Sequence, residues 1–234
     1  MTELQFPPLF TGLKVGANAE PFRHAKALAI KGEDPGTVVY QLTDHLLRAS
    51  ILFAPDVPLQ KALAMIPACG LGFQNALGSL APPEVAVHFE WDGAIRINGA
   101  RCGSLKTFAS SDDPVAEPDW MIIGVELRLQ HDGGNPGDDA DITALIEEGC
   151  AEVEPGALIE SWVRHTLYWI NRWQEDGNRP LLGDWRGFLY NVGETTEFCR
   201  KSGLFVGIDD DFGAMLRDGD TTETLSLTHL VEIV

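Results

Sequence analysis

Glu90 and Arg101 are the ionisable residues whose setting suggests chemistry, because they bracket a stretch broken by two strong turn signals, Asp92-Gly93 and Asn98-Gly99. Glu90 reads either as an exposed strand-end carboxylate or as a pocket-facing acid that pairs with Arg101 or a cationic ligand. Arg101 reads as a pocket cation or as a solvated strand residue; it cannot serve as a base, since arginine stays protonated. The cysteines give a weaker signal. Cys69, Cys102, Cys150 and Cys199 are far apart and form no Cys-x-x-Cys pair, so neither a zinc knuckle nor a disulfide framework is indicated. Free thiols in a reducing cytoplasm are the economical reading. A nucleophilic thiolate needs a base or cation beside it. Cys102 adjoins Arg101, but neighbours on a strand face opposite sides, so buried structural thiols are favoured. His24, His45, His88, His131, His165 and His229 show no metal-ligand spacing. Asp209-Asp210-Asp211 and Asp218-Gly219-Asp220 lack the spacing of a calcium loop and suit turns.

The elements that would position these residues follow from pattern. Pro21 opens a helix from about Glu20 to Ile30. Thr37–Tyr40 and Ser50–Phe53 read as strands around Thr43-Asp44-His45. A second helix starts at Pro58, and Pro67 should kink or split it. The small residues Ala68, Cys69, Gly70 and Gly72 suggest close packing on a sheet. Val85, Val87 and Phe89 alternate with polar residues, and the two turns make 85–109 a three-stranded meander. Trp120–Val125 adds a central apolar strand, and 132–139 reads as a polar loop. Asp141 caps a short helix to Glu148. The longest helix runs from Pro155 to about Gln174, burying Ile159, Trp162, Val163, Thr166, Leu167, Ile170 and Trp173, with Trp169 off that stripe. Past Trp185 short strands recur at barrel-like spacing. Residues 1–188 therefore read as an α+β domain and 189–234 as a small β-barrel.

Composition narrows the function classes. The chain has 234 residues, 44% hydrophobic and 22% charged, which are ordinary globular values. Lys+Arg 17 against Asp+Glu 35 gives a net charge of −18. That argues against a general nucleic-acid binder, which needs clustered cations, and against adsorption to anionic membrane. No apolar run approaches the roughly 20 residues of a membrane span, and the start lacks a signal-peptide pattern.

The order of these elements resembles biotin protein ligases and, more distantly, lipoate-protein ligases and octanoyl transferases. The passage that carries it runs Glu90-Trp91-Asp92-Gly93-Ala94-Ile95-Arg96-Ile97-Asn98-Gly99-Ala100-Arg101-Cys102-Gly103-Ser104-Leu105. Biotin ligases carry there Lys-Trp-Pro-Asn-Asp, a strand, a turn, then a lysine and a Gly-Gly pair. Trp120–Leu127, Thr143-Ala144-Leu145 with Gly149, and the 158–173 helix are similar to the family's next sections. The tail, with Gly193-Glu194, Gly203 and Gly207-Ile208-Asp209, looks like its SH3-like C-terminal domain. The resemblance implies a catalytic domain like that of class II aminoacyl-tRNA synthetases and biotin ligases, with a mixed, mostly antiparallel sheet and flanking helices. It also implies biotin, lipoate or ATP as ligands and a carrier-protein lysine as acceptor.

Fold likeness does not carry activity with it. The family's Gly-Arg-Gly-Arg-Arg-Gly loop, which grips phosphate, has no counterpart in Val39–Ser50, where one arginine and no glycine occur. Its first lysine, which offsets charge at the phosphate, is replaced by Glu90. Two unit charges about 4 Å apart interact by roughly 4 kcal/mol at an effective dielectric near 20, so the sign reversal opposes ATP-Mg²⁺ in the usual pose. Arg101 stands at the second lysine, and Gly103 and Ser104 at the Gly-Gly pair, where small side chains let backbone approach an acyl ligand. Cys150 follows the Thr143-Ala144-Leu145 element, whereas the transferase cysteine precedes its equivalent. Glu90, Trp91, Arg101, Gly103 and Ser104 are thus the expected ligand pocket, with no catalytic or metal-binding residue assigned. The expected function is a ligase-like protein that has lost acyl-adenylation and binds a small acyl ligand, a carrier protein or another copy of itself. The alternative is an active protein ligase or acyltransferase with altered chemistry.

Overall fold

The structure, a computed structural model, describes residues 3–131 and 139–233. Nearly all of the polar loop expected at 132–139 lies outside them. The chain runs β1 (Thr11–Lys14), α1 (Pro21–Ile30), β2 (Thr37–Leu42), β3 (Leu46–Phe53), α2 (Leu59–Ala62), α3 (Met65–Leu80), β4 (Val87–Phe89), β5 (Ala94–Ile97), β6 (Ala100–Ala109) and β7 (Met121–Arg128). It continues through α4 (Pro155–Asp176), α5 (Asn178–Phe188), β8 (Thr195–Phe198), β9 (Lys201–Ile208), β10 (Ala214–Asp218), β11 (Thr221–Leu225) and β12 (Val231–Ile233). The main sheet has the order β1-β2-β3-β7-β6-β5-β4, with β12 added alongside β6. Its pairings are antiparallel except β1 with β2 and β12 with β6.

Local chemistry explains the helix starts. The Glu20 carboxylate accepts the Phe22 and Arg23 amides at 3.2 and 2.5 Å ahead of Pro21, and Glu154 accepts the Ala157 amide at 2.6 Å ahead of Pro155. Both cap donors that the first turn leaves unpaired. Pro67 does not kink its helix. The chain breaks earlier, between α2 and α3, so Pro67 falls in the first turn of α3, where a missing N–H costs nothing.

The small residues of α3 chiefly make room for helices. A Cβ on Gly72 would lie 2.4 Å from Thr166 Oγ1 and 2.9 Å from the Thr166 amide nitrogen of α4. One on Gly70 would meet the Trp185 ring of α5 at 2.4 Å, with Leu105 of the sheet at 3.3 Å. Leu59–Leu80 is long and apolar enough to cross a bilayer, contrary to the sequence expectation, but 72% of its 18-residue apolar window is buried inside the protein. It forms the centre of the core between the sheet and α4.

Four elements differ from expectation. The β1 strand lies ahead of α1, where the sequence pattern assigned no element, as a short parallel edge. The segment after Asp141 is extended, with only a 3-10 turn at Leu145–Glu148. Arg101 N–H to the Asp141 carbonyl (2.7 Å) and Thr143 N–H to the Arg101 carbonyl (3.0 Å) strap it to β6. Unexpected α5 contains Pro180, Gly183 and Gly187, poor helix formers, but buries Leu181, Leu182 and Trp185. The tail does not close into an SH3-like barrel among the described residues. Its strands form an open antiparallel sheet, β11-β10-β9-β8, because the last strand leaves it to pair with β6.

Substituting Gly72→Ala should cost roughly 1–3 kcal/mol by overpacking against Thr166. A lower urea midpoint with an unchanged m value would show it.

Candidate functional site

The β4–β5 and β5–β6 turns build the site. In the first, Glu90 N–H reaches the Ala94 carbonyl at 2.9 Å and Gly93 N–H the Glu90 carbonyl at 3.0 Å. Gly93 has φ 101, and a Cβ there would sit 2.7 Å from the Leu105 carbonyl. In the second, Asn98 and Gly99 both take positive φ, 51 and 95, as a tight hairpin turn with the native strand twist requires. Its register sets Arg96 directly opposite Arg101, a like-charge pair that would by itself destabilise the hairpin.

Glu90 resolves that repulsion. Its Oε1 accepts from Arg96 Nε at 2.6 Å and from Arg101 Nε at 2.7 Å, and its Oε2 from Arg101 Nη2 at 2.6 Å. Arg96 Nη1 also donates to Asp141 Oδ1 (2.6 Å) and to the Gly99 carbonyl (2.5 Å). The Arg96 guanidinium lies 4.3 Å from the Tyr190 ring centroid, and Tyr190 is held there by its N–H to the Phe89 carbonyl at 2.8 Å. Glu90 is only 3% exposed, which excludes the strand-end reading. Burial alone would push its carboxyl pKa up, but the hydrogen bonds from Arg101 and Arg96 outweigh it and hold it below the usual carboxylate value. The hydrogen bond from Arg96 lowers Asp141 as well. The carboxyl of Asp92, a residue exposed on the turn, is raised by desolvation of its oxygens and by repulsion from Glu90.

A cavity of about 360 Å³ opens beside Arg101, with Asp92, Ser104, Glu126, Arg128 and Ile142 among its walls. Its lining residues Ser104 and Glu126 end a row of polar side chains in register across four strands, Gln41–Arg48–Glu126–Ser104. Leu47, Ala49, Val125 and Leu127 between them point into the main core, so alternation turns the polar row to the other face. Arg48 Nε donates to Glu126 Oε2 at 2.5 Å, and Lys106 Nζ lies 3.6 Å from Glu126 Oε1.

Of the expected pocket residues, Arg101, Gly103 and Ser104 line this cavity. Glu90 stands behind Arg101 as its partner. Trp91 points elsewhere: it is 2% exposed, gives its indole N–H to the Phe212 carbonyl at 2.8 Å, and packs 5.4 Å from the Phe198 ring, anchoring the C-terminal sheet. Gly103 is needed by its neighbour strand, since a Cβ would meet the Glu126 carbonyl oxygen at 2.2 Å. Arg96, Glu126, Lys106 and Asp141 were not assigned to the site from the sequence, where Asp141 read as a helix cap. Arg96 and Glu126 left a signal there, each a charge within an otherwise apolar stretch of strand.

The thiols are poorly placed for nucleophilic work. Burial pushes Cys102 up to about 12 and raises Cys69 and Cys150; exposed Cys199 is raised too and lies in the β8–β9 turn. Among the described residues no cluster of three His, Cys, Asp or Glu could hold a metal. Val39–Ser50 is a β2–β3 hairpin closed at Thr43, whose N–H and Oγ1 pair with Leu46 at 3.0 Å each.

The comparisons with known proteins agree with this architecture. The chain is 51% identical to a biotin protein ligase-like protein of unknown function from Silicibacter sp. TM1040, with TM-score 0.93 over 98% of this chain and 100% of that one. Biotin protein ligase from Aquifex aeolicus is 15% identical with TM-score 0.69, over 86% of this chain and 89% of that one. The Leishmania major enzyme in complex with biotinyl-5-AMP is 16% identical with TM-score 0.56, over 94% and 99%. These two likenesses show the fold alone. No curated protein matches the sequence. A model of the biotin/lipoate A/B protein ligase family covers residues 6–187, from the segment before β1 to the end of α5 and so across the whole Glu90–Arg101 hairpin, and the chain belongs to that family.

Proposed function

We propose that this protein binds a small carboxylate or acyl ligand at the Arg101 cavity without activating it from ATP. The observation that carries this reading is the Glu90 carboxylate locked between Arg96 and Arg101. The resemblance to biotin ligases puts a phosphate-facing lysine where Glu90 stands, and here the acid occupies the very cations that could have replaced that lysine. The tight β2–β3 hairpin in place of an arginine-rich loop supports the same reading.

What remains favours a modest anionic ligand over a triphosphate. Arg101 keeps nearly half of its side chain exposed, Ser104 offers a hydroxyl, and Leu46, Ala94 and Ile142 supply apolar wall. Arg128 is held by two backbone carbonyls, of Arg101 at 3.0 Å and Thr143 at 2.8 Å, which fixes a second cation at the rim. The raised thiols speak against a cysteine acyltransferase, and four unpaired cysteines suit a reducing compartment.

Pyrophosphate exchange with ATP and biotin, lipoate or octanoate should stay at background; rapid exchange would overturn the proposal. Calorimetry should detect octanoate or a related carboxylate, with binding weakened about tenfold or more in Arg101→Ala, the loss of one charge-assisted contact. Glu90→Gln should cost roughly 3 kcal/mol, because it leaves buried Arg96 beside Arg101 with half-exposed Asp141 as their remaining counter-charge. Its pH signature follows from the lowered carboxyl. The stabilisation is complete above the unfolded glutamate value near 4.3 and fades as pH falls through the lower folded value. Urea midpoints should therefore drop in acid for the wild type and much less for Glu90→Gln. Equal acid sensitivity of the two would count against the buried pair.

A further inference from the structure

A second cavity lies at the opposite end of the same strands. The Arg101 cavity touches Leu46 at the start of β3 and Arg128 at the end of β7, whereas this one touches Phe53 at the end of β3 and Met121 at the start of β7. It measures about 380 Å³, within the range of small-ligand sites, about 300–1,000 Å³. Its floor reaches the core at Met65 and Met121, and Leu167, Ile170 and Trp173 of α4 form one wall. Sequence periodicity assigned those three α4 residues to the buried stripe, yet each is only half-buried. They are turned towards the core but not covered.

The lip adds a second, independent observation. Leu9 borders the cavity with its side chain 83% exposed and its backbone at φ 77. That is a left-handed conformation that costs a branched side chain free energy. The surroundings enforce it: Phe10 N–H bonds the Pro7 carbonyl and Thr11 N–H the Gly36 carbonyl, both at 3.1 Å. Gly36, itself at φ 85, makes room where a Cβ would lie 2.0 Å from the Leu9 carbonyl oxygen. The fold thus holds an apolar side chain in water, in a strained conformation, at the mouth of an apolar cavity.

We propose that this cavity is a second ligand site, for a small apolar molecule with an uncharged or cationic head group. Charge sets the class. Among the described residues the cavity lining includes Asp56, Asn171 and Gln174 but no lysine or arginine, and the chain carries a net charge of −18. A carboxylate would meet only amides and an acid there, the reverse of the Arg101 cavity. An alcohol or amine finds acceptors at the rim while its chain covers Leu9 and fills the space over Met65 and Met121.

The probes are decan-1-ol, decylamine and decanoate below their aggregation limits, with full-length protein carrying methyl-labelled methionine. Decanol and decylamine should shift the Met65 and Met121 methyl signals and leave that of Met215 in β10 in place, and decanoate should bind about tenfold more weakly at this site. Ile170→Arg should reverse that preference. Leu9→Gly should raise the Tm by relieving the strained backbone while weakening decanol binding, an opposition that a purely structural role for Leu9 would not produce. Shifts confined to Met215, no binding of decanol, or an unaltered preference in a folded Ile170→Arg would overturn the proposal. So would light scattering that shows a dimer whose dissociation is required before decanol binds. None of these outcomes bears on the carboxylate reading of the Arg101 cavity, whose test is separate.

Discussion

A single carboxylate reconciles the geometry of the central hairpin with its charge. Two left-handed residues at Asn98 and Gly99 make a turn that sets Arg96 opposite Arg101. Without a counter-ion, two guanidiniums side by side on neighbouring strands would push β5 from β6. Glu90 accepts from both, and Asp141 lends its carboxylate to Arg96. The desolvation of an acid that is 3% exposed is offset because every nearby donor is charged and aligned. Backbone bonds from Arg101 to Asp141 and from Thr143 to Arg101 strap 141–144 along β6, and Tyr190, held by the Phe89 carbonyl just past α5, lies over Arg96.

Chemistry follows from where that acid stands. In a pocket that gripped a triphosphate the cations would face the ligand. Here they face Glu90 first, and Arg101 alone keeps a substantial exposed surface. The row Gln41–Arg48–Glu126–Ser104 repeats the theme, since Glu126 engages Arg48 and Lys106. The proposed small-anion reading rests on this matching, because cations already engaged by Glu90 and Glu126 contribute less to the surplus positive field that phosphoryl chemistry demands.

The two faces of the sheet divide the labour. Alternation sends Leu47, Ala49, Val125 and Leu127 into the core against α3 and α4 and leaves the polar row on the other side. Trp91, immediately after Glu90, spends its indole on the C-terminal sheet. The residue after the critical acid is therefore an anchor and not part of the cavity lining, and the tail reaches the site through that anchor, through Tyr190 over Arg96 and through β12 beside β6.

Much of this was legible from the chain alone. The helix-opening prolines Pro21 and Pro155, the turn dipeptides Asp92-Gly93 and Asn98-Gly99, and apolar alternation are local signals, and α1, α4 and the meander appear where those signals lie. The ordered motifs around Glu90 and Trp120 pointed to the right family because they recur at fixed spacing along the backbone. Missed features have a common cause. The α5 helix, the strap at 141–144 and the departure of β12 from the tail sheet are stabilised by contacts between residues distant in sequence, which override poor local propensity. Arg96, Lys106, Glu126 and Asp141 likewise look like ordinary surface charges until strand register sets them beside one another. Residue type and turn chemistry thus prescribed which segments form and which charges are available. Which charges meet, and that Glu90 is buried between two arginines instead of facing water, depended on long-range pairing, because electrostatic energy depends on distance and desolvation in space, not on separation along the chain.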